Sequence, residues 1–136
     1  LHSGKNFFAT SIQQKMNYEK LKASIEACNQ CATECEQCIT ACCNEKESAS
    51  MDQCIELNRY SADMSRMAAA FIARADKHTM DFVNKFCDLC AEICTACATE
   101  CEKHSDMEHC KRCAIACRNC AAECLIMTKA NKAQSA

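Results

Sequence analysis

Residues 87–101 read CDLCAEICTACATEC, placing Cys87, Cys90, Cys94, Cys97 and Cys101 at alternate strides of three and four. Such strides keep side chains on one face of an α-helix, as the a and d positions of a heptad do. The segment therefore predicts a helix with a straight row of sulfur where a bundle ordinarily carries Leu, Ile or Val. The same pattern, C-x2-C-x3-C-x2-C-x3-C, occurs twice more, at Cys28, Cys31, Cys35, Cys38, Cys42 and at Cys110, Cys113, Cys117, Cys120, Cys124. Only Cys43 and Cys54 of the seventeen cysteines lie outside the three copies. Three helices with sulfur on their packing faces imply a core that can hold metal.

The competing reading is a disulfide scaffold, and geometry weighs against it. A disulfide needs Cβ atoms about 3.5–4.5 Å apart, whereas i,i+3 and i,i+4 neighbours on a helix are about 5–6 Å apart at Cβ. Pairs within one row are too distant to oxidise in an intact helix, yet well placed to share a bridging ion. An odd number of cysteines at helical spacing also differs from the loop-rich framework of a stapled secreted domain.

The 136 residues include no proline, and the only glycine is Gly4. The chain can hardly turn except at helix ends, which makes it all-α and a single domain. With large aliphatic residues sparse along the rows, cysteine itself fills much of the interior as a small hydrophobe. A formal net charge of −2 with mixed signs gives no basic field for nucleic acid or anionic membrane. No apolar run approaches the roughly 18 residues of a membrane span.

Four helices are expected: Asn17 to Glu45, Ser50 to Ala75, Thr79 to His104 and Ser105 to Lys129. Ser50-x-x-Gln53 and Ser105-x-x-Glu108 read as capping boxes, and Thr79 as a cap with Asp81 in the first turn. Short connections then give an antiparallel up-down-up-down four-helix bundle with a cysteine-lined core over residues 17–130. Residues 1–16 form an N-terminal extension with Phe7, Phe8, Ile12 and Met16 at helical spacing, and residues 131–136 a C-terminal tail. This topology collects Cys42, Cys43, Met51, Cys54, Cys101, His104, Met107, His109 and Cys110 at one end. Leu21, Ile25, Phe71, Phe82, Phe86 and Ile126 collect at the other as an apolar plug. The expectation is a sulfur-lined tube on the order of 20 Å long, plugged at one end and open at the other through a Met/His/Cys mouth. Cys43 follows Cys42 directly and points about 100° off the row, toward a mouth site or another helix face. His2 and His78, in a terminus and a connection, are expected in solvent.

Soft thiolate and thioether ligands select Cu(I), Zn(II) or iron–sulfur clusters. Structural zinc uses four ligands from knuckles that wrap the ion, and iron–sulfur clusters use loop-borne cysteines; continuous helices supply neither. Cu(I) accepts two or three sulfurs, so a helical i,i+4 pair suits it and adjacent sites can share a thiolate. Each Cu(I) that replaces a thiol proton also leaves the net charge unchanged.

The repeated C-x3-C pairs Cys31/Cys35, Cys38/Cys42, Cys90/Cys94, Cys97/Cys101, Cys113/Cys117 and Cys120/Cys124 resemble those of the bacterial copper storage proteins. So do the segments Cys54-Ile55-Glu56-Leu57-Asn58 and Cys101-Glu102-Lys103-His104 through His109-Cys110. The resemblance spans roughly Glu26 to Ile126. It implies a non-enzymatic store of many Cu(I) ions along the core, a homo-oligomer (a tetramer), and uptake at the open end through Met51, Met107, His104 and His109. All seventeen cysteines and these four residues are the candidate metal ligands; copper donor or acceptor proteins would be the partners. The chain departs from the cytosolic branch in its second helix, where Ser61 and Ser65 stand at the spacing of a further C-x3-C pair, with Met64 and Met67 nearby. Hydroxyls are poor Cu(I) ligands, so fewer sites are expected on that wall, and methionines at helical spacing are more often core filler. Reduced thiols in this number favour the cytosol, while a chain opening on Leu1 and the cysteine-poor second helix leave an exported, processed product as the alternative.

The rival functions are a metallothionein-like zinc or general soft-metal buffer, a thiol redox protein and a single-ion copper chaperone. A redox protein usually carries one activated C-x-x-C at a helix N-terminus, and here no pair is singled out. A chaperone needs far fewer thiols. No nucleophile–base pair, open metal site or cofactor loop marks an enzyme.

Overall fold

The computed structural model describes the backbone of residues 4–135 and the side chains of residues 18–133. Its helices are α1 (Gly4–Cys43), α2 (Asp52–Ala73), α3 (Met80–Glu102) and α4 (Glu108–Ser135). α1 packs on α2 and α4, and α3 on α2 and α4, so the four helices stand in a square. Cross-helix contacts fix the directions. Cys28 meets Cys124 and Cys42 meets Cys110, so α1 and α4 are antiparallel; Cys54 meets Cys101 and Ser65 meets Cys90, so α2 and α3 are too. Cys31 meets both Ser65 and Cys94, which completes the up-down-up-down order.

Small side chains account for how closely the helices approach. The buried apolar set is mostly cysteine and alanine, including Ala32, Ala62, Ala68, Ala91, Ala98 and Ala114. Larger buried apolar side chains are few: Met51, Ile55, Ile72, Val83 and Met127. Around the outside, Arg66–Glu36 joins α2 to α1, Arg112–Glu34 joins α4 to α1 and Arg118–Glu102 joins α4 to α3. These pairs are exposed to partly exposed and orient the helices more than they stabilise them.

The helix ends differ from expectation in instructive ways. α1 stops at Cys43, where Asn44 and Glu45 donate backbone bonds to Ala41 and Cys42 and tighten the last turn. Ser50 does not cap α2. It lies in a 3-10 turn, Ser48–Met51, with its hydroxyl on the Glu47 carbonyl at 2.7 Å, and Met51 takes the cap position without a side-chain bond. Ser105 does not cap α4 either; helix bonding begins at the Met107 carbonyl, which accepts from Lys111. Thr79 takes the cap position of α3 as expected but without a side-chain bond to the helix; Asp76 closes the turn before it, accepting from the backbone of His78 and Thr79 at 2.9 and 3.0 Å. Those bonds hold the Asp76 carboxyl below its ordinary range. α2 and α3 end slightly before Ala75 and His104, and α4 runs beyond Lys129 to Ser135. Its extension is anchored by buried Asn131, which donates to Asn84 at 2.9 Å.

The expected plug forms only in part. Leu21, Ile25, Phe71 and Phe86 pack against the core, with Ile72, Val83 and Met127 buried among them. Phe82 and Ile126 are exposed instead, because their register points them off the packing faces. A cavity of about 150 Å³ bordered by Leu21, Ile72, Met80, Val83 and Met127 lies at this end. His78 is exposed, as expected, while the side chains of His2, Phe7, Phe8, Ile12 and Met16 lie outside the described residues. No helix among the described residues is long and apolar enough to cross a membrane.

Candidate metal centre

The heptad-like strides turn every cysteine of the three rows inward. All the cysteines are free thiols, and all but Cys43 are buried. Five close groups stack down the tube, with sulfurs within 4.8 Å of one another in each: Cys38/Cys42/Cys54/Cys110 at the mouth, Cys38/Cys101/Cys113, Cys35/Cys97/Cys113/Cys117, Cys31/Cys94/Cys120, and Cys28/Cys120/Cys124 near the plug. Cys38 and Cys113 link the first three groups and Cys120 links the last two; Cys31, 3.9 Å from Cys35 and 3.7 Å from Cys117, carries the column across the gap between them. Cys90 lies beside the column, 3.9 Å from Cys94, and Cys87 is buried outside the close groups.

Two triangles in the column are nearly regular. Cys38, Cys42 and Cys110 have edges of 3.8, 3.9 and 3.8 Å. Cys35, Cys113 and Cys117 have edges of 3.7, 3.7 and 3.9 Å. The centre of such a triangle is about 2.2 Å from each sulfur, close to the metal–thiolate length of about 2.3 Å known for zinc. The arrangement thus fits a soft ion in three-coordinate geometry without rearrangement, and the i,i+4 pairs supply one edge of each triangle.

Hydrogen bonding among the thiols shifts their acidities in opposite directions. Bonds from Cys113, Cys117 and Cys31 hold Cys35 well below the usual thiol range. Cys101 is held low by Cys113, Cys38 and Cys54, and Cys120 by Cys124, Cys28 and Cys31. Cys110 is lowered to about 3, chiefly by Cys38 and Cys54. Cys90 is lowered to about 5, where bonds from Cys124, Cys28 and Cys94 outweigh an opposing one with Cys120. Their partners move the other way. Cys113 and Cys54 are pushed up first by Cys101, Cys124 first by Cys120, and Cys42, to about 11, first by burial. Each of the five groups thus contains a thiol whose neighbours favour its deprotonation, with Cys120 serving two of them.

The mouth brings together most of the remaining candidates. Met51 is fully buried in the core three residues before Cys54, and Met107 is half-buried against the core. His104 Nε2 lies 3.4 Å from Glu100 Oε2, and His109 Nε2 lies 3.9 Å from Glu45 Oε1. His109 Nε2 is buried and makes no hydrogen bond among the described residues, which leaves a nitrogen donor unused beside Cys110. Cys43 joins none of the groups; it is exposed beside Ser48, Asp52 and Arg59. Met64 packs against the core, whereas Met67 is exposed and away from the sulfurs.

Two participants escaped the sequence reading. Glu100 is buried next to Cys101 and holds His104 and Lys103; its i,i+4 spacing to His104 was the available signal. Asn58 is fully buried in the column, accepting from Cys113 at 2.8 Å and donating to Cys54 and Cys101 at 3.4 and 3.5 Å. It stands four residues after Cys54, on the same stride that marks the cysteine rows.

The family model for copper storage protein matches residues 17–129. A cytosolic copper storage protein from Streptomyces lividans, solved during copper loading with five coppers, superposes with a TM-score of 0.81 at 33% identity, covering 85% of this chain and 97% of that one. Apo copper storage protein 3 from Bacillus subtilis gives a TM-score of 0.70 at 40% identity, covering 79% and 97% of the two chains. An uncharacterized cysteine-rich protein of Bacillus subtilis strain 168, YhjQ, is 42% identical over 90 residues, 66% of this chain and 79% of its own length. With the family model spanning residues 17–129 and its core built of stacked thiols, this chain belongs to the copper storage protein family.

Proposed function

We propose that the protein stores Cu(I), binding many ions on the thiolates of its core. It is a binding protein and not an enzyme. The observation that carries this reading is the column of buried sulfur groups, linked by shared cysteines and, at mid-column, by the contacts of Cys31 with Cys35 and Cys117. Shared thiolates suit Cu(I), whose thiolate chains approach neutrality as they fill. Zinc would bring four thiolates per ion and stack buried negative charge along the same axis, so a zinc buffer is the weaker reading. In the filled state the buried cysteines are the ligands, and ions pass from sulfur to sulfur by ligand exchange with no change of oxidation state.

Anaerobic titration of the reduced apoprotein with Cu(I), against a coloured Cu(I) chelator, tests the reading. The expected endpoint is above about ten ions per chain, roughly one per buried cysteine at most. An endpoint of about one or two, with most thiols still reactive, would instead mark a chaperone or redox protein.

The port for copper is assigned to Met51, Met107, His104 and His109, with exposed Cys43 as an outer thiol for exchange with donor or acceptor proteins. The unbonded His109 nitrogen and the half-buried Met107 support this assignment. Replacing both histidines by alanine (H104A/H109A) is expected to slow uptake in stopped-flow mixing about tenfold while leaving the endpoint unchanged, since imidazole is a transit ligand here and thiolate the resting one. A changed endpoint with an unchanged rate would reverse those roles. The cytosol is the proposed compartment, in keeping with the cytosolic relative and with the ease of keeping thiols reduced there. A homo-oligomer, tetrameric by the resemblance, completes the reading; exposed Ile115, Leu125 and Ile126 offer apolar surface for it, and light scattering measures it directly.

A further inference from the structure

The core face of α2 follows the same stride as the cysteine rows but reads Cys54, Asn58, Ser61, Ser65, Ala68, Ile72, all buried. Below the mouth this wall holds oxygen and nitrogen in place of sulfur, and those atoms touch the thiols. Ser65 Oγ donates to Cys31 Sγ at 3.3 Å and lies 3.4 Å from Cys94 and 3.6 Å from Cys120. One hydroxyl therefore reaches all three sulfurs of the Cys31/Cys94/Cys120 group. Ser61 Oγ lies 3.4 Å from Cys94, 3.6 Å from Cys117 and 3.7 Å from Cys31. Asn58 does the same one level nearer the mouth, its amide on Cys54 and Cys101.

Charge gives these contacts a purpose. When Cu(I) binds three thiols, three protons leave to solvent, the copper stays Cu(I), and the site carries two excess negative charges. A completely filled column shares its thiolates among ions and approaches neutrality. A partly filled one does not, and its excess charge sits among fully buried side chains, where uncompensated charge is costly. Hydrogen bonds to charged acceptors are about twice as strong as neutral ones, so a fixed donor beside each level favours the partly filled state most. A wall of cysteine could not do this, since a thiol is a weak donor.

We propose that Asn58, Ser61 and Ser65 form a hydrogen-bonding rail along α2 that stabilises partly filled copper sites, so that the inner levels take up and give back their first ions singly and not only as a full column. The serines act through the cysteines, as positioning residues. The inference rests on the storage reading, and the test separates the two. In wild-type protein, the titration endpoint alone judges storage. In S61A/S65A every thiol remains, so the endpoint is expected to match wild type while the first two or so ions bind about tenfold more weakly in chelator competition. S65T, which keeps the hydroxyl, restores the first-ion affinity. S61C/S65C adds thiols and is expected to raise the endpoint while losing the tight first ions. Should the double alanine variant fail to fold, S65A, which removes one oxygen, gives the same reading. First ions bound as tightly by S65A or S61A/S65A as by wild type would overturn the rail and leave the serines as filler.

Discussion

Filling the protein with Cu(I) under anaerobic conditions will raise its melting temperature by about 30 °C or more. Each ion bound only by the folded chain adds about 2.7 kcal/mol when free copper is a hundredfold above the dissociation constant. The five sulfur groups taken at one ion each give more than about 10 kcal/mol on that scale. For a domain of this size, each kcal/mol moves the midpoint by roughly 3–5 °C. The unfolded chain also offers thiols, which reduces the gain, but unfolding scatters sulfurs that the helices hold 3.6–3.9 Å apart. Thermal melts followed by far-ultraviolet circular dichroism at increasing copper loading measure the effect. A shift below about 5 °C at full loading would mean that copper sits on thiols the folded and unfolded chains expose equally, and the stacked groups would not be the sites.

The rows were legible because one face of a helix repeats at strides of three and four, and fifteen cysteines obey that rule without interruption. Burial of each row residue followed directly. Antiparallel order followed from short connections, and with it the meeting of Cys42 with Cys110 and Cys54 with Cys101. The helix ends were less legible. Ser50 and Ser105 carry the chemistry of caps, but the chain tightens after Cys43 and Glu102 and shifts the true helix starts to Asp52 and Glu108. Phe82 and Ile126 looked like plug residues because they are apolar and at the right end, yet registry alone sets their direction. Asn58, Ser61 and Ser65 sit on the stride but lack the element that drew attention to it. What the sequence could not show is that their polar atoms reach several sulfurs at once, because that depends on how closely four alanine-rich helices approach.

Folding and copper binding are carried by different residues, and two substitutions will separate them. Ile72→Ala is expected to cost the apoprotein about 3 kcal/mol, within the range for emptying a large buried aliphatic site, and to lower its melting midpoint by about 10 °C. Ile72 is one of the few large side chains fully buried, at the plug end and outside every sulfur group. Its neighbours Leu21, Val83 and Met127 already border a cavity of about 150 Å³ at that end, and losing the Ile72 side chain enlarges it. The Cu(I) endpoint should be unchanged, and copper should bring the variant back above physiological temperature. Cys117→Ala should behave in the opposite way. It removes one small side chain, at about 1 kcal/mol, yet Cys117 lies 3.7 Å from both Cys31 and Cys35 and 3.9 Å from Cys113. Its loss opens a triangle at mid-column, so more than one ion should be lost from the endpoint. Urea melts of the two apoproteins and Cu(I) titrations of both decide the matter. If Ile72→Ala lowers the copper endpoint as much as Cys117→Ala does, the column is not preformed by the bundle, and copper itself assembles the core.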